Sequence, residues 1–170
     1  MFIAILGRQP EISIAELEAV YGDKNVQKIS NQAATVNCDN LSIDNLGGTI
    51  KCGHVITKIK SQKSDRNTLL QASKIIVEKY TKKLSNSQKK ITLGISFYGN
   101  KMDPRNIQKI GIILKNNLKK SGVSLRLIPN KTAALSTATS HNNKLGRSEA
   151  KIEIIIARNV YGDLIVAESR

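Results

Sequence analysis

The sequence predicts a mixed α/β (α+β) fold built from two consecutive units. Three observations lead there. Strand-period and helix-period segments alternate along the 170 residues. A polar stretch, Lys60-Ser61-Gln62-Lys63-Ser64, interrupts that alternation once. The charge balance changes at the same place. Residues 1–59 hold five basic and six acidic side chains, a net of −1, whereas the rest hold 22 and seven, a net of +15.

In the first unit, residues 1–59, Phe2–Leu6 is a short apolar strand. Glu11–Tyr21 places Ile14, Leu17 and Val20/Tyr21 at helical spacing, with Pro10 ahead and Gly22 as a stop. Val26–Ser30 and Ala33–Asn37 read as a hairpin joined by Asn31-Gln32. Leu41–Leu46 is expected as a short helix ending at Gly47-Gly48, and Thr49–Ile59 as a further strand. The order βαββαβ is ferredoxin-like.

The second unit, residues 65–170, opens with a helix over Asp65–Lys83, with Asp65 as its cap and Leu69, Ala72, Ile76 and Tyr80 on its inner face. Ile91–Tyr98 is a central strand. Asp103-Pro104 starts the next helix, Asp as N-cap and Pro at the first position; its stripe is Ile107, Ile110, Gly111, Leu114 and Leu118, and Gly122 ends it. Val123–Ile128 is a strand stopped by Pro129, and Ser136–Leu145 a polar helix. Lys151–Arg158 and Leu164–Ala167 are strands about the turn Tyr161-Gly162-Asp163.

Composition and missing motifs exclude several function classes. No apolar run approaches the length of a membrane span, and the first residues lack the basic start of a signal peptide. Cys38 and Cys52 make neither a disulfide framework nor a zinc site; they are expected as buried thiols in a reducing cytoplasm. Gly47-Gly48 with Gly53 matches neither GxGxxG nor GxxxxGK[ST]. The three prolines, Pro10, Pro104 and Pro129, stand alone, so no Asp/Asn-Pro-Pro-aromatic motif exists. His54 and His141 form no HExxH, no serine sits in G-x-S-x-G, and Glu16 and Glu18 fall on different helix faces. The sequence therefore points to no catalytic residue, no metal site and no cofactor site in this chain.

A net charge of +14 argues for a polyanionic partner. The informative stretch is Ser124–Arg147. Arg126 alternates with Leu125 and Leu127 on a strand, and Lys131 follows in a loop. In the polar helix, Leu135, Ala138 and Leu145 are expected to face inward, leaving Thr137, Ser140, His141 and Lys144 together on a second face. Ser136 marks the helix N-terminus, where backbone N–H groups favour an anion; Ser136 or Thr137 equally serves as a plain cap, and Asn142-Asn143 as the lead into Gly146. Lys115 and Lys119, one turn apart, repel each other and gain nothing as a helix face alone. With Arg126, Lys131, Lys144 and Arg147 they suggest a phosphate-binding surface. Aromatics are only 4% and Trp is absent, which favours backbone and shape recognition over a base-stacking platform.

These residues resemble a known family. The opening "ILGRQPEISIAELEAVYG" and the later "LGG" at Leu46–Gly48 look like the first domain of archaeal-type tRNA guanosine N2-methyltransferases. "ISFYG" at Ile95–Gly99, "SLRLIPN" at Ser124–Asn130 and "ALSTATSHNNKLG" at Ala134–Gly146 look like that family's THUMP domain. The resemblance implies a ferredoxin-like domain at 1–59 and a THUMP domain at 65–170. It implies a cytoplasmic tRNA-binding module that grips the acceptor stem and single-stranded 3′ end through Arg126, Lys131, Ser136, Thr137, His141, Asn142 and Lys144. Family members continue into a methyltransferase domain using S-adenosylmethionine, which these 170 residues would serve as tRNA holder, whether within one chain or as a partner subunit. The competing readings are a basic scaffold for an acidic protein, a complete enzyme with unrecognised chemistry, and the THUMP region of a tRNA thiolation enzyme; the last leaves "GRQP" at Gly7–Pro10 unexplained.

Overall fold

The computed structural model describes residues 1–99 and 102–169; Arg170, the last residue of the expected second unit, lies outside the described residues. The chain order is β1 (Phe2–Leu6), α1 (Pro10–Tyr21), β2 (Val26–Ser30), β3 (Ala33–Val36), β4 (Thr49–Ile59), α2 (Asp65–Leu84), β5 (Ile91–Tyr98), α3 (Pro104–Lys120), β6 (Leu125–Leu127), α4 (Thr137–Asn142), β7 (Lys151–Arg158) and β8 (Leu164–Ser169). α3 follows its sequence signals closely. The Asp103 carboxylate accepts from the Arg105 N–H, Pro104 takes the first turn, and all five stripe residues are buried.

Several expectations need correction. Leu41–Leu46 is no helix but a single 3-10 turn, Ile43–Asn45. Ser42, Asp44 and Asn45 are weak helix formers, and Leu41 and Leu46 are both drawn into the core at the two ends. The cap of α2 is Ser64, whose hydroxyl accepts from the Asn67 N–H; Asp65 instead pairs with Arg158. β3 ends at Val36, β6 is only three residues long, and β8 runs on to Ser169. Cys52 is buried as expected, its thiol donating to the Leu41 carbonyl, but Cys38 is only half-buried.

All eight strands join one sheet, in the order β2-β3-β1-β4-β8-β7-β5-β6. β1 pairs antiparallel with both β3 and β4, and β2 with β3, the pairing expected for the first unit despite its missing second helix. β5 runs parallel to β6 and β7. The two units are not separate sheets: β4 pairs antiparallel with β8 from Gly53↔Ser169 to Ile59↔Leu164.

One face carries α1, α2 and α3. Phe2, His54 and Glu168 form a transverse row, and the Tyr80 hydroxyl of α2 donates to Glu168 at 2.7 Å, so α1 and α2 lie on the same side. The largest core cluster packs α2 and α3 on this face through Ile76, Ile107, Ile110 and Leu114 against Leu93, Ile95 and Ile154. The opposite face curls inward. The Gln32 side chain, at one end of the strand order, accepts from the Gly99 N–H beyond β5 at 2.7 Å. Ile29 and Ala33 share a buried cluster with Ile3, Ile5, Tyr98, Ile155 and Ile165. The sheet thus wraps its own apolar inner face, as accumulated strand twist allows.

The β7–β8 turn is tied to the segment between the units. The Asp163 carboxylate accepts from the Ser61 N–H at 2.8 Å and from the Lys60 ammonium at 3.2 Å. The Ser61 hydrogen bond holds this carboxyl below the usual carboxylate range, helped by Lys60 and Asn159. A depressed folded-state pKa contributes stability above the unfolded value, about 3.9, and that contribution is lost as pH falls through the folded value. Urea melts of wild type and Asp163→Ala should therefore differ at neutral pH, and the difference should shrink progressively below about pH 4. A difference independent of pH would exclude this ion-linked tie.

Candidate nucleic-acid interface

The segment after β6 follows the edge of β5. The Ile128 N–H donates to the Leu93 carbonyl, and the Phe97 N–H to the Ala133 carbonyl. Asn130 fixes the loop, its amide donating to the Ile95 carbonyl at 2.9 Å while its backbone N–H donates to Gln108. Exposed Lys131 hangs from this staple.

The chain then crosses the inner face of β5. Leu135 and Leu145 lie directly on Gly94, where an added Cβ would stand 2.6 Å from a methyl of each. Only glycine lets the segment seat this deeply. Beneath it is a buried polar network. The Lys51 ammonium, from β4, donates to Glu153 of β7 at 2.5 Å, to the Leu135 carbonyl at 3.0 Å and to the Ser140 hydroxyl at 2.9 Å. Ser96 donates to the same Glu153 oxygen and accepts from the Leu135 N–H. Lys51 is 6% exposed and Glu153 1%, so each of the three ammonium donors meets a protein acceptor out of water.

This packing changes the expected polar helix. α4 spans six residues rather than ten, ending where Lys144 enters the left-handed region at φ 54° and Gly146 follows at φ 79°. Ser140 turns inward to Lys51, while Ala138, expected inside, is exposed. The Ser136 hydroxyl accepts from the Thr139 N–H at 3.1 Å, so it acts as the cap. Thr137, His141, Asn142 and Lys144 remain exposed around the segment, and Arg147 on the loop that follows.

Arg126 stands on β6 in register with Thr92 of β5, which in turn pairs with Lys151 of β7. The Lys151 ammonium donates to the Thr92 hydroxyl at 3.0 Å. This Arg126–Thr92–Lys151 row faces the same side as Gly94, beside the α4 segment. Arg126 is exposed and has no partner among the described residues. Lys151 is missed by sequence reading; its only signal is a lysine at the start of a largely apolar strand. Lys115 and Lys119 are not part of this group. α3 packs on Leu125 and Leu127, whose side chains point away from Arg126, so both lysines lie across the sheet from it.

The glycine pair Gly47-Gly48 is filled from within. Its two N–H groups donate to the Glu16 carboxylate at 2.7 and 2.8 Å, which leaves no cradle there for a phosphate or cofactor.

No protein-family model and no curated protein matches the sequence. Among solved structures, the chain is similar to TrmN from Thermus thermophilus, at 9% identity and a TM-score of 0.52 over 99% of this chain and 44% of that one. A 4-thiouridine synthetase in complex with RNA and bound ATP aligns at 11% identity, TM-score 0.47, over 98% and 40%. PH1313 from Pyrococcus horikoshii Ot3 aligns at 11%, TM-score 0.44, over 99% and 54%. The likeness to TrmN shows the fold alone, a mixed α/β arrangement. The chain spans less than half the length of the TrmN chain. Among the described residues, no helix is long and apolar enough to cross a membrane.

Lys51→Met should leave Glu153 buried without its cation and destabilise the fold by about 3–5 kcal/mol. The double variant Lys51→Met/Glu153→Leu should recover a large part of that loss. Chemical denaturation of the four proteins of this cycle measures both; a double variant as unstable as the sum of the singles would show that the pair does not act as a unit.

Proposed function

We propose that this chain is a tRNA-binding module of a tRNA guanine-N2 methylation system, holding the acceptor stem and 3′ end for a methyltransferase domain or partner subunit. The observation that carries the reading is the row of Arg126 and Lys151 beside a rigidly seated α4 segment bearing Lys131, His141, Lys144 and Arg147, in a part of the chain with a net charge of +15. The fold it shares with TrmN supports it, as does the sequence resemblance. Arg126, from a fixed strand, offers a planar fork for two phosphate oxygens or for stacking on a base. Lys144 sits in a left-handed conformation that costs a non-glycine residue about 1 kcal/mol, a position where glycine would be easier; retaining the ammonium suits phosphate contact. Thr137, Asn142 and His141 add uncharged donors at the same edge, and the Ser136 hydroxyl orders α4. Lys115 and Lys119 act as a more distant field on the far side of the sheet. The domain division at 1–59 and 65–170 has a functional meaning on this reading: the near-neutral unit supports, the basic unit binds. Methyl transfer and its S-adenosylmethionine belong to the methyltransferase domain or subunit, in the cytoplasm where tRNA is modified.

Binding of tRNA to the isolated chain should fall steeply with salt. With about five neutralised phosphates, log affinity against log salt should slope at roughly −4; a flat profile would remove the electrostatic reading. An acceptor minihelix with a 3′ overhang should bind more tightly than a blunt one. Arg126→Ala should cost about 1.5–3 kcal/mol and reduce that difference. Lys82→Ala, already paired with Glu78 on an exposed helix face, should cost well under about 1 kcal/mol. Equal wild-type affinity for the two RNAs would eliminate the 3′-end assignment, and an acidic protein competing as well as tRNA would favour the scaffold reading.

Calorimetry of the chain with S-adenosylmethionine should give no saturable signal at micromolar concentrations, and tRNA incubated with both should remain unmethylated. Saturable binding would place the cofactor in this chain and overturn the division of labour.

A further inference from the structure

The β7–β8 hairpin carries the two most exposed large apolar side chains among the described residues, Val160 at 79% and Tyr161 at 82%. The turn beneath them is closely hydrogen-bonded. The Asn159 side-chain oxygen accepts from the N–H groups of Tyr161 and Asp163, both at 2.9 Å, and the Asn159 N–H donates to the Asp163 carbonyl at 3.0 Å. The apolar tip is therefore held outward in a defined shape.

Three ties bring a basic segment to its base. Arg158 holds Asp65 through both guanidinium nitrogens, Asp163 holds Ser61 and Lys60, and Gly162 sits so close to Ser61 that an added Cβ would stand 2.8 Å from its hydroxyl. The tethered segment carries Lys60, paired with Asp163, and the exposed Lys63 and Arg66, while the carboxylates Asp65 and Asp163 are both engaged in ion pairs. On the other side, an open cleft of about 310 Å³ separates this hairpin from the β2–β3 hairpin; Asn31, Gln32, Gly99 and Asn159 line it.

We propose that Tyr161, next to Val160 on the wall of that cleft, is a stacking contact for an unpaired nucleobase, with Lys63 and Arg66 of the tethered segment meeting the flanking phosphates. The inference rests on the RNA-binding reading and adds a second contact to it. Every nucleobase presents a π face, so one exposed ring suffices without any base-edge pattern. A protein partner is a poorer occupant. A stable protein interface needs about 800 Å² from each side, far more than a two-residue tip supplies, and the surrounding free charge is positive. The new contact lies at the opposite end of β7 from the Arg126–Lys151 row, roughly 23 Å away at strand spacing, so one RNA touching both must span the length of the sheet.

The chain contains no tryptophan, so Tyr161→Trp creates a unique fluorescent reporter. Hexa-adenylate added to this variant should quench the indole emission with the same midpoint as binding followed by anisotropy of a labelled oligonucleotide. Tyr161→Ala should weaken hexa-adenylate binding about five- to tenfold with the far-ultraviolet circular dichroism unchanged. Unaltered emission at saturating hexa-adenylate would overturn the stacking contact alone, because saturation itself keeps the RNA-binding reading standing. Equal quenching by polyglutamate would also overturn it, marking the tip as a site of charge attraction. If neither tRNA nor hexa-adenylate binds the wild type at low salt, the functional reading falls and this contact with it.

Discussion

A lysine and a glutamate 102 residues apart in sequence meet at 2.5 Å inside the curl of the sheet, and the polar segment of the second unit is built on that pair. Withdrawing either ion from water costs several kcal/mol. Here the cost is offset because the ammonium reaches three acceptors and the carboxylate also receives Ser96. Two of those acceptors, the Leu135 carbonyl and the Ser140 hydroxyl, belong to the segment that crosses Gly94. The near-neutral first unit thereby supplies the cation that seats the second unit's candidate interface. The first unit is structurally part of the interface even though its own surface, with Glu11 paired to Lys28, has no excess of positive charge.

The sheet separates two kinds of surface. Its outer face is packed under three helices with branched aliphatic side chains, and Lys115 and Lys119 project from the far side of one of them. Its inner face is apolar where β1, β7 and β8 approach, ionic around Lys51, and basic at the open edge where Arg126 and Lys151 share a row with Thr92. The bonds from Lys51 and Asn130, together with the close fit at Gly94, hold this edge in place from beneath, so its exposed cations start from a fixed backbone.

Much of this was legible in the sequence because local signals and burial agreed. Asp103-Pro104 with five apolar residues at helical spacing specifies α3 almost unaided, and the eight residues of Ile91–Tyr98 declare a strand buried on both faces. The failures occur where a long-range partner decides. Ser140 looked like part of an outward hydroxyl face because its partner, Lys51, is 89 residues away in sequence. Leu41–Leu46 has two apolar ends that tertiary packing draws in separately. The charge step at residue 59 predicted where the cations are but not which face they share; Lys115 and Arg126 are near in sequence and divided by β6. Lys151 acquired its place only from strand register, which no local pattern contains.

The pairing of β4 with β8 makes the boundary at residues 60–64 one of composition rather than of folding. A chain beginning after Lys60 would retain α2, α3 and the basic edge, yet β8 would lose one of its two neighbours along six residues and become an open edge strand. Such an edge is a template for pairing with another copy. Glu153 would at the same time be left in the interior without its lysine. The minimal piece that can remain monomeric is therefore larger than the piece that carries the charge.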